Sequence, residues 1–176
     1  MKKLLVVVIV LAFAVPCLAQ TAQPPKPGPE VQKLGYFIGT WKMEGERKAT
    51  STRPATEFSD TDTCEWFAGG FHVVCRGEGI GPEGTVALLR ILAYDAAIKA
   101  YTVYSISSQG DSMSAKGSLT ASTWTWPREG KVAGKPAKFR LTQVQESPTA
   151  YTSKAEYSVA GGPWTVVMEG KSTKVR

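Results

Sequence analysis

Leu34-Gly35-Tyr36-Phe37-Ile38-Gly39-Thr40-Trp41, followed directly by Lys42-Met43-Glu44-Gly45-Glu46, is where the period of the chain changes. Ahead of it, Pro29 stands where a proline can open a helix, and Val31, Leu34 and Phe37 or Ile38 recur on one side of at most two turns. From Trp41 onward the period is two: Trp41, Met43 and Gly45 alternate with Lys42, Glu44 and Glu46. An apolar helical turn, then Gly-x-Trp, then a two-faced strand predicts a short helix set against the start of a β structure.

Later segments keep that period. Trp66, Phe71 and Val73 share a face around Gly69-Gly70, and Trp124 and Trp126 alternate with threonines. Phe139 and Leu141 alternate with Lys138, Arg140 and Thr142, and Tyr151, Ala155, Tyr157 and Val159 with Thr152, Lys154 and Glu156. Trp164, Val166 and Met168 alternate with Thr165, Val167 and Glu169, and the apolar run 86–94 has a partner at 99–107 across Asp95-Ala96-Ala97-Ile98. Turn signals such as Gln109-Gly110-Asp111 and Ala160-Gly161-Gly162-Pro163 separate the runs. The prediction is an all-β fold of about nine or ten antiparallel strands. Short turns without crossovers favour an up-and-down barrel over a Greek-key sandwich. The expected inward set is Trp41, Met43, Trp66, Phe71, Val73, Trp124, Trp126, Phe139, Leu141, Tyr151, Tyr157, Val159, Trp164, Val166 and Met168. Those rings suit either a filled core or a ligand cavity.

Residues 1–19 read as a secretory signal: Lys2 and Lys3, an apolar stretch at 4–15, then Pro16-Cys17-Leu18-Ala19 with cleavage after Ala19. The apolar stretch is too short for a membrane span of ~20 residues. Pro16 before Cys17 departs from a lipid-attachment pattern. Residues 20–29, with Gln23-Pro24-Pro25-Lys26-Pro27-Gly28-Pro29, form a Pro-rich extended tether, and 30–176 make one domain. The protein is expected in the periplasm or outside the cell. The formal charge of +6 falls to about +4 without Lys2 and Lys3, and the remaining cations are scattered. That excludes the basic stripe with interleaved aromatics of a nucleic-acid surface.

Cleavage removes Cys17 and leaves Cys64 and Cys75, an even pair in an oxidising compartment. If Gly69 and Gly70 are the two loop residues of a hairpin, Ala68 faces Phe71, Trp66 faces Val73 and Cys64 faces Cys75, within bridging reach. The same register puts the bridge at a hydrogen-bonded site, the less comfortable of the two kinds.

The stretch 34–41 resembles the opening of the lipocalins and their calycin relatives, in which a short helix closes one barrel end. Together with Cys64-Glu65-Trp66-Phe67-x-Gly69-Gly70-Phe71 and Tyr94-Asp95, the pattern is similar to a family of secreted bacterial proteins known only as a domain of unknown function. The resemblance spans residues 31–171. It implies that Gly39 and Trp41 form the barrel floor, with Trp41 beneath a cation from a late strand, Lys171 or Arg140.

Chemistry-bearing residues are few. His72 is the sole histidine and faces outward in the hairpin register. A haem-binding cousin among the calycin-like barrels uses a histidine late in the chain, and none follows Trp124 here. One histidine and a bridged cysteine pair do not make a zinc site. No Gly-x-Ser-x-Gly elbow or Ser-His-Asp set is present, and no cofactor is expected. Asp60 and Asp62 share a strand face, as do Glu44 and Glu46, and both pairs read as solvated edges. Gly77-Glu78-Gly79-Ile80-Gly81 follows a hairpin and precedes no helix, so it is no phosphate loop. Arg90 is the one charge in an apolar strand. It points outward by default, or inward as an anion clamp of the kind fatty-acid carriers use. The expected function is binding of a small apolar or amphipathic ligand in the barrel, lined by Trp66, Trp124, Trp126, Tyr157, Trp164 and Arg90, without catalysis. The alternatives are an enzyme acting on a lipid-like substrate in that cavity, or a filled barrel that meets the cell envelope.

Overall fold

The computed structural model describes residues 25–50, 54–81 and 84–176. The signal segment, its cleavage site, Cys17 and Pro24 lie outside the described residues. A helical turn α1 (Pro29–Gln32) runs into a 3-10 turn (Lys33–Phe37). Ten strands follow: β1 (Gly39–Arg47), β2 (Thr56–Trp66), β3 (His72–Gly81), β4 (Gly84–Asp95), β5 (Ala100–Ser107), β6 (Ser112–Thr120), β7 (Thr123–Val132), β8 (Lys135–Ser147), β9 (Ala150–Val159) and β10 (Thr165–Lys174). Each pairs antiparallel with its chain neighbours, and β1 pairs with β10, so the meander closes into a barrel. No described helix is long and apolar enough to cross a membrane.

The β2–β3 hairpin has the predicted register, Trp66 opposite Val73 and Cys64 opposite Cys75, and the two cysteines are bridged. Its turn corrects one expectation. Gly69 and Gly70 both have positive φ (90° and 73°), but the loop is longer than two residues. The Phe67 N–H donates to the His72 carbonyl and the Gly70 N–H to the Phe67 carbonyl. Closing the ladder at Phe67 and His72 shifts the hydrogen-bond alternation by one, so the bridge falls on a non-hydrogen-bonded pair. The Cα–Cα separation of 4.0 Å agrees with that closer kind of site.

The helical segment plugs the barrel end where β1 begins. Leu34, Phe37, Trp41 and Trp124 are buried there, and Trp41 donates its indole N–H to the Phe37 carbonyl at 2.8 Å. The cation above Trp41 is Lys174, 5.2 Å from the ring, and not Lys171 or Arg140. Register decides this: Lys174 lies opposite Trp41 on β10, whereas Lys171 pairs outward with Glu146, and Arg140 is held by Glu156 on the cavity wall far from the plug. Tyr101 donates to Glu30 Oε2 at 2.7 Å and Tyr36 reaches the carbonyls of Ser147 and Ala150, tying the plug to the wall. Burial pushes the Tyr36 phenol up to about 12. Gly39 has φ +116°, and a Cβ there would run into the Arg176 carbonyl and lie 2.8 Å from Lys174 Cε. Only glycine meets both demands.

Two irregularities change the wall. In β10 the register slips between Val166 and Met168. Val166 is thereby placed opposite Glu156 and Met168 opposite Ala155, so the two do not share a face as expected. Trp164 precedes the strand and is exposed, and Phe71 sits in the hairpin loop. The second irregularity separates β6 from β7. These strands pair only from Ser118–Thr120 to Thr123–Thr125, while β6 stays paired to β5 from residue 112 and β7 to β8 through residue 132. The Trp126 ring lies over Gly117, where a Cβ would crowd it, and Pro127 follows with no N–H to donate. A proline belongs where a strand has lost its neighbour.

Replacing Trp41 with alanine removes the plug's central ring and is expected to cost about 3–5 kcal/mol, read from the urea midpoint. Gly39→Ala is expected to lower the same midpoint, and Gly28→Ala, where nothing lies within 4 Å of the added methyl, to leave it in place.

Candidate ligand site in the barrel

Above the plug the inward faces enclose a cavity of about 350 Å³. Phe37, Trp41 and Tyr151 form its base, and the Cys64–Cys75 bridge, Leu92, Val103, Ala115, Trp126 and Leu141 its apolar wall. Met113, Phe139 and Met168 continue it toward the opposite end. Trp126 donates its indole N–H to Gln143 Oε1 at 3.0 Å, which orients both side chains.

A polar band crosses one side of this wall. Asp62 lies opposite Trp41 on one flank and Gly77 on the other, and Asp60 lies opposite Met43 and Gly79. On the next strand Arg90 faces Cys75 and hydrogen-bonds Asp62. Asp60 and Asp62 are therefore inside the barrel and not on a solvated edge, and Arg90 is inward and not outward. The glycines make this packing work, because a Cβ on Gly77 would collide with Asp62 Oδ1 and one on Gly79 with Asp60 Oδ1. The glycine run that resembles a failed phosphate loop is thus a bed for two carboxylates.

About 30% of the Arg90 side chain stays accessible because it borders the cavity, while Asp62 keeps 12%. Burial opposes the Arg90 charge, but the charge and hydrogen bond of Asp62, with Tyr151 and Asp60 beyond, hold the guanidinium's pKa above its ordinary value. Asp60 is in no ion pair among the described residues. Burial, reinforced by the Asp62 charge, raises its pKa against the pull of Arg47 and Arg90, and its Oδ1 is buried without a hydrogen bond. The buried hydroxyl of Ser153 is likewise without a hydrogen bond among the described residues. At the end far from the helix, guanidiniums lie on rings: Arg47 over Phe58, Arg128 over Phe139 and Arg140 over Trp164, the last also bonded to Glu156.

Of the residues expected to line a cavity, Arg90 and Trp126 stand in its wall. Trp124 is wholly buried beneath it between Phe37 and Tyr101, and Trp66 packs against Gly35 of the plug. Tyr157 sits against Phe139, and Trp164 lies at the surface under Arg140. The large rings near the helix are consumed in closing the barrel, which is why they are unavailable above it. His72 is exposed, as its register requires. Among the described residues no three His, Cys, Asp or Glu side chains cluster as metal ligands. Asp60 and Asp62 were legible in principle. Extending the Cys64–Cys75 register two and four residues sets them opposite Gly77 and Gly79, on the face of Trp66 and Val73.

Two stability measurements test the band. Arg90→Met strands a buried carboxylate and is expected to cost about 3–5 kcal/mol, with most of that recovered in the Asp62→Leu, Arg90→Met double variant. Equal losses in the two would mean that the ion pair is not the issue. For Asp60, the folded state binds its proton more tightly than the unfolded one, so it lowers stability as pH rises above the ordinary carboxyl value of 3.8. Asp60→Asn is therefore expected to melt above the wild type at pH 7, with the gap closing toward pH 4.

Comparison with known proteins places this geometry. The solved structure of Rv2717c from M. tuberculosis matches with a TM-score of 0.57 at 11% identity, over 86% of this chain and 100% of that one. The S-type phycobiliprotein lyase CPES from Guillardia theta matches with a TM-score of 0.50 at 12% identity, over 82% and 90%. At such identities the likeness is one of fold. No curated protein sequence matches the chain. A family model described as "Protein of unknown function (DUF1579)" matches residues 26–174, essentially the whole barrel with its helical plug, and the chain belongs to that family.

Proposed function

We propose that this chain is a secreted carrier that binds one small, largely apolar molecule inside its barrel and does no chemistry on it. The observation that carries the reading is the 350 Å³ cavity, apolar over most of its wall and polar at a few fixed points, Arg90 with Asp62, Arg140 with Glu156, and also Gln143 and Arg128. Small-molecule sites have this character, with volumes of ~300–1,000 Å³ and a few placed polar groups. The bridged cysteines suit an oxidising compartment, in keeping with the signal-like residues 1–19.

A second reading rests on Asp60. A carboxyl with a raised pKa and a free oxygen, behind an ion pair that borders an apolar chamber, is the kind of group that can give or take a proton through its neighbours. That a protein named as a lyase shares the fold adds interest to this reading without supplying a reaction.

Ala115 is in the wall, and Ala115→Phe fills the chamber without adding charge. A neutral fluorescent probe, N-phenylnaphthylamine, is expected to bind the wild type and to lose at least about tenfold in affinity in the filled variant, with far-UV circular dichroism unchanged. Equal binding by both proteins would remove the cavity from the account. Native mass spectrometry of protein from its own source separates the readings. A reproducible bound mass supports carriage, whereas a bound molecule that wild type converts and Asp60→Asn leaves intact favours the enzyme.

A further inference from the structure

The break between β6 and β7 is the part of the wall that this carrier reading does not use. Beyond the Ser118–Thr125 pair the two strands part, and an outer groove lies along the gap. Outward residues of both strands, Ser114, Lys116, Pro127 and Glu129, border the groove. Val103, Ala115 and Arg128 border both the groove and the inner cavity. Val103 and Ala115 are paired across β5 and β6, but between Ala115 and Arg128 no ladder closes the wall, so groove and cavity are separated there by side chains alone. The gap differs from the strand-end opening of an intact barrel in that it lies on the flank.

Arg128 stands at that gap. Three guanidiniums border the inner cavity. Arg90 is bonded to Asp62 and Arg140 to Glu156, but Arg128 is in no ion pair among the described residues. It rests instead on the Phe139 ring, 4.0 Å from its centroid, while its side chain remains exposed. Stacking on a ring holds a guanidinium in place while leaving its N–H donors free for a planar anion. The carboxylates nearest in sequence, Glu129 and Asp111, form no bond with it among the described residues. Phe139 and Leu141, on the strand beside it, begin an apolar surface that runs inward from its head group.

We propose that the β6–β7 gap is a side portal through which a single-chain amphiphile with an anionic head group is loaded, its head held by Arg128 and its apolar chain in the cavity. The proposal rests on the carrier reading and adds to it a ligand class, a route and an anchoring residue. Pro127 is the device that keeps the gap from closing, because it cannot donate to β6. Gly117 under the Trp126 ring fixes where pairing stops.

Dodecanoate and dodecanol, matched in chain and different in head group, test it on the purified full chain by calorimetry and by stopped-flow quenching of Trp126. Wild type is expected to prefer dodecanoate. Arg128→Gln is expected to lose about tenfold for dodecanoate, the worth of one charge-assisted hydrogen bond, and less than about twofold for dodecanol. Ser114→Phe narrows the groove from outside without touching the cavity. It is expected to slow association and dissociation by about fivefold each and to leave affinity nearly unchanged, as a barrier shift does. Ser114 and Arg128 are both exposed, so neither change burdens the fold, and circular dichroism confirms that. Dodecanoate bound equally by wild type and Arg128→Gln overturns the anchor, and unaltered rates in Ser114→Phe overturn the portal. Dodecanol bound without dodecanoate overturns this proposal while the carrier stands. Binding of neither brings down the carrier reading itself.

Discussion

The pairing register of β2 with β3 governs what the inside of this barrel contains. With Cys64 bridged to Cys75, the next inward residues of β2 are Asp62 and Asp60, and the residues that face them on β3 are Gly77 and Gly79. Two carboxylates can lie flat in the wall only because two glycines leave the space. The same register sets Arg90 opposite Cys75, within reach of Asp62. A slip of one residue would send all of these to solvent and bring Thr61, Thr63 and Arg76 inside. The bridge, the glycine bed and the buried ion pair are thus one device.

Division of labour among the aromatic residues follows from the taper of the closed end. Helical residues, Trp41, Trp124, Tyr101 and Tyr151 fill it with ring on ring, and Trp41 and Tyr101 each satisfy a polar atom against the plug. Above that level small residues such as Ala115 and Ala155 alternate with Trp126, Phe139 and Leu141 around the wall, and the cavity is the space they leave. Polar groups then appear in two places, Asp62 with Arg90 on β2 and β4, and Arg128, Arg140, Gln143 and Glu156 on β7 to β9, with apolar chains and methionines between them. An interior that is closed below, apolar across and charged at a few fixed points is a container with a preferred orientation for its contents.

Much of this was readable from the chain. Period-two alternation located the strands, Gly39-Thr40-Trp41 marked the start of β1, and the Gly-Gly turn set Cys64 against Cys75. Asp60 and Asp62 were misassigned because their neighbours Ser59, Thr61 and Thr63 are polar too, so local alternation carries no sign. Arg90 had the opposite difficulty, standing among residues apolar on both faces. Trp164 and Val166 were set inward because a slip in β10 is invisible to a strict period of two. The cation above Trp41 was missed because choosing Lys174 over Lys171 requires the β1–β10 register, a pairing of chain ends.

What the sequence alone determined is the class of fold, the short helix ahead of β1 and the register that sets Cys64 against Cys75, since each follows from local period, turn chemistry or the spacing within one hairpin. Only the tertiary structure decided which faces carry the carboxylates, which cation covers Trp41, how much of the aromatic set closes the barrel, and where β6 leaves β7. Those depend on contacts between strands far apart in the chain and on the space that remains once large side chains are seated. Steric fit of that kind is a property of the assembled barrel, and no local stretch of residues contains it.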